Sequence, residues 1–79
     1  MRVIKELIIV SSVKCTLFSW NGKYLIKLEQ GNLEQTYKIP ELEVNNLAEI
    51  ENYISTPAFS EEVIKIFDLM NKNLDVLYL

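Results

Sequence analysis

The chain of 79 residues contains no histidine, one cysteine and two glycines, and each shortage excludes a class of site. Without histidine there is no Ser–His or Cys–His nucleophile pair, no histidine-bound zinc and no imidazole general base. The single cysteine, Cys15, excludes an intramolecular disulfide and fits a reducing compartment. Two glycines are too few for a Gly-rich phosphate-binding loop. We therefore assign no catalytic, cofactor-binding or metal-binding residue and expect no enzymatic activity.

Long apolar runs are also missing. The apolar run near the start extends only from Leu7 to Val10 and follows the acidic Glu6. This is too short for the core of a signal peptide or for a membrane span. We expect a cytoplasmic protein with no membrane partner.

The residues that are present suffice for one small domain. Hydrophobic residues make up 49% of the chain, which is too many for a disordered protein, and 79 residues support a single core. The charge is uneven: residues 1–39 carry six basic and three acidic side chains, whereas residues 40–79 carry two basic and eight acidic ones. This asymmetry fits either a basic surface for a partner or attraction between the two halves of one fold.

Two tight-turn signals organise the first half of the chain. Asn21-Gly22 and Gly31-Asn32 interrupt a stretch of alternating polar and apolar residues over 13–39. They predict a type I′ and a type II′ turn, and therefore a three-stranded antiparallel meander. Residues 2–10 fit a helix by apolar spacing and a strand by their β-branched content, and we predict a fourth strand.

The turns also predict the register and the two faces of the sheet. A two-residue loop at Asn21-Gly22 pairs Trp20 with Lys23 and Phe18 with Leu25. Side chains alternate across a strand, so one face is apolar and forms the core. This core face holds Val13, Cys15, Leu17, Tyr24, Ile26, Leu28, Leu33, Tyr37 and Ile39. The opposite face holds Lys14, Thr16, Phe18, Trp20, Lys23, Leu25, Lys27, Glu29, Glu34, Thr36 and Lys38.

The second half of the chain predicts two helices. Asn46 is suited to cap a short helix over 46–54, and Pro57 is suited to the first position of a long helix over 57–77. The apolar stripe predicted for the long helix comprises Phe59, Val63, Ile66, Phe67, Met70, Leu74 and Leu77. The predicted fold is a single α+β domain over 1–79. In it, an antiparallel β-meander of three or four strands (1–39) precedes the short helix and a long C-terminal amphipathic helix, which packs on one sheet face.

More apolar side chains remain than one layer of helix can cover. Phe18, Trp20 and Leu25 lie on the face that the long helix does not need, and other apolar side chains lie off the helix stripe. Such surface on a small domain usually has a partner. We therefore predict a homodimer. Binding to a different protein is a second interpretation of the same apolar surface. The candidate dimer contacts on the helix are Leu69, Val76, Tyr78 and Leu79.

The face opposite the core also supports an alternative function. Its candidate interaction residues are Phe18, Trp20, Lys23, Leu25, Lys27 and Lys38. Aromatic rings among lysines on an open sheet are typical of single-stranded nucleic-acid binders, in which bases stack on rings and lysines neutralise phosphates. Glu29 and Glu34 on the same face and a net charge of −3 argue against it. The first hypothesis is thus a non-enzymatic homodimeric protein-interaction domain, and the alternative is single-stranded nucleic-acid binding.

Two resemblances bear on these hypotheses. The run from Cys15 to Ile39, with the acidic connector and the helix as far as Met70, resembles a group of short bacterial proteins of uncharacterised function. The consecutive hairpins, the aromatic-and-lysine face and the long terminal helix are similar to the β-β-β-β-α modules of Whirly-type and purine-rich-element-binding proteins. That resemblance implies helix-packed dimers that bind single-stranded DNA across the sheet. No sequence motif of that group is matched, and the acidic pI differs from that of a usual DNA binder.

Overall fold

The structure is a computed structural model that describes residues 1–10 and 12–78, in which four strands precede two helices. The strands are β1 (Arg2–Val10), β2 (Val13–Trp20), β3 (Lys23–Gln30) and β4 (Leu33–Pro40). A 3-10 turn (Glu41–Glu43) leads to α1 (Leu47–Ile54) and α2 (Pro57–Tyr78). The strands form one antiparallel sheet in the order β1-β2-β3-β4. The predicted α+β fold is confirmed, and residues 2–10 form the fourth strand.

The hairpin turns have the backbone conformation that their residues predict. Asn21 and Gly22 have φ values of 54° and 76°, as a type I′ turn requires at both central positions. Gly31 has a φ of 58°, which suits the first central position of a type II′ turn. The predicted register follows, with Trp20 paired with Lys23 and Phe18 with Leu25.

The edge strand β1 is irregular. Its register shifts between Val3 and Lys5 and again between Ile8 and Val10. Each bulge changes which face the next side chain occupies, so Ile9 and Val10 both pack against the core, whereas Ile8 is exposed. Bulges and the charged Lys5 also hinder pairing of this edge with another chain.

One core fills the space between the sheet and both helices. Its most deeply buried α2 residues are Val63 and Phe67, and α1 contributes Ile50 and Ile54. The sheet supplies Val13, Cys15, Leu17, Ile26 and Leu28. A buried polar contact accompanies this packing, since Gln35 on β4 donates its Nε2 hydrogen to the Val63 carbonyl at 3.1 Å. Both helices therefore lie on the predicted core face.

Local contacts set where the two helices begin. The Asn46 side chain accepts a hydrogen bond from the Glu49 N–H at 3.1 Å, which confirms it as the N-cap of α1. The Thr56 hydroxyl accepts from the Phe59 N–H at 3.3 Å at the start of α2. The Tyr53 and Phe59 rings, with centroids 5.3 Å apart, connect the end of α1 to the first turn of α2.

The apolar stripe predicted for α2 is wrong at two positions. Ile66 is 36% exposed and Leu77 is 77% exposed, whereas Ile64, which was not assigned to the stripe, packs against the core. The core contact centres on Val63 and Phe67, so Ile66 lies at its margin, and Leu77 lies beyond the part of the helix that the sheet covers. Within Asn71–Tyr78 only Leu74 is partly buried.

The core is therefore complete well before α2 ends. We expect Phe67→Ala to lower the free energy of unfolding by about 3–5 kcal/mol, because it opens a cavity at a fully buried site. Leu77→Ala, a similar truncation on the same helix, should change the free energy of unfolding by less than about 0.5 kcal/mol. Urea unfolding in dilute solution, followed by far-UV circular dichroism, measures both values. Equal losses for the two variants would contradict this division of α2.

Candidate interaction surfaces

The face of the sheet that carries neither helix is here called the open face. The register aligns its side chains in rows across the strands. Val3, Phe18, Leu25 and Lys38 form one row, and Trp20 lies beside Lys23 and Pro40 in the next. The sheet therefore brings all six candidate interaction residues onto one surface.

The apolar residues of the open face differ in exposure. Phe18 and Leu25 on the central strands are only 9% and 5% exposed. Neither belongs to the core cluster under the helices. Lysine stems can lie along apolar surface of this kind while the ammonium stays in water. Trp20, at the end of β2, is 49% exposed and is the one large aromatic ring that this face presents among the described residues.

Acidic neighbours neutralise part of the positive charge on this face. Lys27 lies 3.4 Å from Glu34, and Lys14 lies 3.9 Å from Glu6. Lys23 and Lys38 have no carboxylate within 4.0 Å in the part of the chain that the structure describes. Pairs this exposed are weak, so they reduce the local potential without fixing the side chains.

The second candidate surface runs along α2. Ile66, Leu69, Asn73 and Val76 recur at alternating intervals of three and four residues, which places them along one side of the helix. We call these four residues the α2 stripe. Leu69 is 59% and Val76 73% exposed, so the candidate dimer contacts Leu69 and Val76 are open to solvent. Tyr78 is exposed at the end of α2, and Leu79 lies outside the described residues.

The α2 stripe starts beside a groove between β4 and the helices. This groove has a volume of about 230 Å³, and its rim includes Tyr37, Tyr53 and Glu62. Both tyrosines are more than one-third exposed. Glu62 lies one helical turn before Ile66 on the same side of α2, so the groove and the stripe form one continuous surface.

A larger groove lies on the other side of α2, next to β1. It measures about 630 Å³ and is lined mainly by apolar side chains, including Ile9, Val10, Pro57 and Ile64. Ser55 and Ser60 at its wall donate their hydroxyl hydrogens to backbone carbonyls one turn earlier in the chain. Glu61 and Lys65 lie at its rim. The rim therefore carries both a negative and a positive charge, rather than charge of one sign.

Cys15 is a nucleophilic side chain within the core. It is fully buried, and burial raises the pKa of its thiol from the ordinary value of 9.0 to about 11. A thiol with this pKa stays protonated and is a poor nucleophile, which agrees with the predicted position of Cys15 on the core face. Among residues 1–10 and 12–78 no group of three His, Cys, Asp or Glu side chains is placed to hold a metal ion.

The sequence missed several exposed side chains of these surfaces. Alternation assigned Tyr37 to the core face, but β4 is an edge strand and leaves the ring partly open. Ile66 was assigned to the core stripe, and Tyr53 was not assigned at all. An aromatic residue of the short helix outside its apolar positions, just before the turn into α2, is the signal that could have identified Tyr53.

Comparison of this chain with known proteins identified no relative. The chain matches no protein-family model, no curated protein and no solved structure. The resemblances drawn from the sequence therefore stay expectations. In the described part of the chain, neither helix combines the length and the apolar character needed to span a bilayer.

The pKa of Cys15 predicts a pH dependence of stability. In the unfolded chain the thiol ionises near pH 9, whereas in the folded protein it keeps its proton to about pH 11. Since the folded state then binds more protons, the free energy of unfolding falls across this window, by roughly 1–3 kcal/mol. Chemical denaturation of the wild type and of Cys15→Ala between pH 8 and 11 isolates this loss, because other titrating groups are common to both. Parallel curves for the two proteins would contradict the assignment.

Proposed function

We propose that this chain is a small non-enzymatic protein-interaction domain that acts as a homodimer. The observation that carries the proposal is the exposed, mainly apolar surface formed by the α2 stripe and the tyrosine-rimmed groove beside it. The fold does not need this surface, since its core is closed by Phe59, Val63 and Phe67. Exposed apolar patches of this kind are usually interaction sites on small soluble domains.

The end of α2 supports the same proposal. Its last two turns, about 12 Å long, extend past the core with only Leu74 partly covered. A helix end held by so few tertiary contacts frays readily in water. Contact with a partner along the α2 stripe would supply the missing packing, and would explain why apolar residues persist there.

The edges of the sheet are less suited to self-association. The β1 edge carries two bulges, and β4 ends in Pro40, which lacks the N–H needed to extend a ladder. The helix surface is therefore the favoured contact between copies. Its modest area places the dimer among the weaker protein–protein complexes, with dissociation expected in the micromolar range.

Substitution within the stripe tests the dimer. We expect Leu69→Lys to weaken dimerisation at least tenfold, by roughly 1.4 kcal/mol or more, because it places a charge at the centre of an apolar contact. Sedimentation equilibrium should give a mass near the monomer value of 9.2 kDa at concentrations where the wild type is dimeric. The matched control is Asn71→Lys, which adds the same charge to an exposed position outside the stripe.

Two results would contradict the homodimer. One is a wild type that remains monomeric up to near-millimolar concentration. The other is equal dissociation constants for Leu69→Lys and Asn71→Lys, with the helical circular dichroism signal of both variants unchanged. Either result would leave the α2 stripe without a role in self-association.

A second candidate function, single-stranded nucleic-acid binding, is supported by one observation. Trp20 is about half exposed beside Lys23, which is its cross-strand neighbour and has no ion pair among the described residues. A ring and a cation in this arrangement suit a stacked base and its phosphate. With Phe18 and Leu25 buried, Trp20 is the single ring on which stacking would depend, so we rank this function below the first.

Trp20 fluorescence tests this alternative directly, because it is the only tryptophan in the chain. If the open face binds single strands, an oligothymidine should quench the emission at low salt, and added salt should reverse the quenching as phosphate contacts are lost. Lys23→Glu should abolish the effect, whereas Lys65→Glu on α2 serves as a control of equal charge change. Unchanged emission at low salt would sink the nucleic-acid hypothesis and leave the dimer proposal intact.

A further inference from the structure

We infer that two copies of this chain associate through antiparallel α2 helices aligned over their full length. This inference rests on the proposed homodimer and specifies its geometry. In this arrangement Pro57 of one copy lies opposite Tyr78 of the second copy, the two ends of α2. Two properties of α2 support the antiparallel arrangement. They are the spacing of the residues in the α2 stripe and the order of the charged residues along the helix.

The apolar residues of the stripe meet in this alignment. Ile66 of each copy lies opposite Leu69 of the second copy, so the centre of the interface contains four large apolar side chains. Toward each end, Val76 lies next to Ala58, a small residue on the same side of α2. Asn73 lies opposite Glu62, which gives its amide a hydrogen-bond acceptor; a single polar pair of this kind is known to fix the register of paired helices.

The charges that flank the stripe favour the same alignment. It places Lys72 within one turn of Glu61 of the second copy, and Lys65 within one turn of Asp68 of the second copy. Among residues 1–10 and 12–78 of one chain, Glu61, Asp68 and Lys72 make no ion pair, and Lys65 pairs with Glu62 at 3.3 Å. These side chains are therefore available to a partner helix.

A parallel pair lacks this complementarity. In a parallel two-fold dimer the axis runs along the helices, so the flank that carries Lys65, Asp68 and Lys72 lies on opposite sides of the pair in the two copies, and its charges do not meet across the interface. The helix dipoles would also lie side by side in the same direction, which is unfavourable. Charge complementarity thus selects a second copy in the antiparallel orientation as the occupant of the α2 stripe.

The arrangement has a consequence for the open face. The α2 stripe belongs to the helix layer, on the other side of the sheet from the open face, so a second copy bound there does not cover the open face. Self-association therefore leaves Trp20 and Lys23 accessible in both copies.

Distances between spin labels distinguish the two orientations. In a Cys15→Ala background, Asn71→Cys and Tyr78→Cys each give one labelling site on exposed positions outside the stripe. At about 1.5 Å of rise per residue, the antiparallel dimer places the Tyr78 labels about 20 Å farther apart along the axis than the Asn71 labels. Double electron–electron resonance on the labelled dimers should therefore give a clearly longer distance for the Tyr78 labels than for the Asn71 labels. Equal distances at the two positions would overturn the antiparallel arrangement.

Charge exchange gives an independent test. Glu61→Lys and Lys72→Glu should each weaken dimerisation about tenfold, because each converts two symmetry-related ion pairs into repulsions. The double variant should return to within about threefold of the wild-type dissociation constant. On one helix these residues lie about 16 Å apart, so recovery requires contact between copies. Additive weakening in the double variant would overturn the inference.

The outcomes separate the inference from the proposed function. A wild type that stays monomeric defeats both, since no interface forms. A concentration-dependent dimer that is sensitive to Leu69→Lys but gives equal label distances defeats only the antiparallel arrangement.

Discussion

Burial of the core face of the sheet by α2 is the constraint on which the rest of the structure depends. A four-stranded meander has one apolar face, and a sheet of this size is not stable until that face is covered. Val63 and Phe67 provide the centre of the cover, and the contact between Gln35 and the Val63 carbonyl lies beside them. The position of every other α2 side chain follows from this contact.

The same constraint explains why one side of α2 remains apolar and open. A helix that lies on a sheet buries only one side of its surface, and in α2 the buried side ends near Met70. Leu69 and Val76 lie on another side, where the monomer offers them nothing to pack against. The structure thus divides α2 into a part that completes the fold and a part that is available for association.

The sequence was most informative where local chemistry decides the structure. Asn21-Gly22 specifies its turn through the positive φ values that these residues tolerate, and the turn then determines the register of β2 and β3. The sequence was least informative where packing between strands and helices decides the structure. The two bulges of β1 have no glycine or other local signal, and the choice between Ile64 and Ile66 depends on the direction from which the sheet approaches α2. The burial of Phe18 and Leu25 on the open face is likewise not determined by alternation alone.

In the proposed dimer, the last turns of α2 are stabilised by a second copy of the chain. Hydrogen exchange of the amides from Asn71 to Tyr78, measured from low micromolar to near-millimolar protein, tests this stabilisation directly. We expect exchange in this segment to slow as concentration rises, while the amides around Val63 and Phe67 change far less because their protection comes from the monomer core. Exchange at Asn71–Tyr78 that is fast and independent of concentration would contradict it.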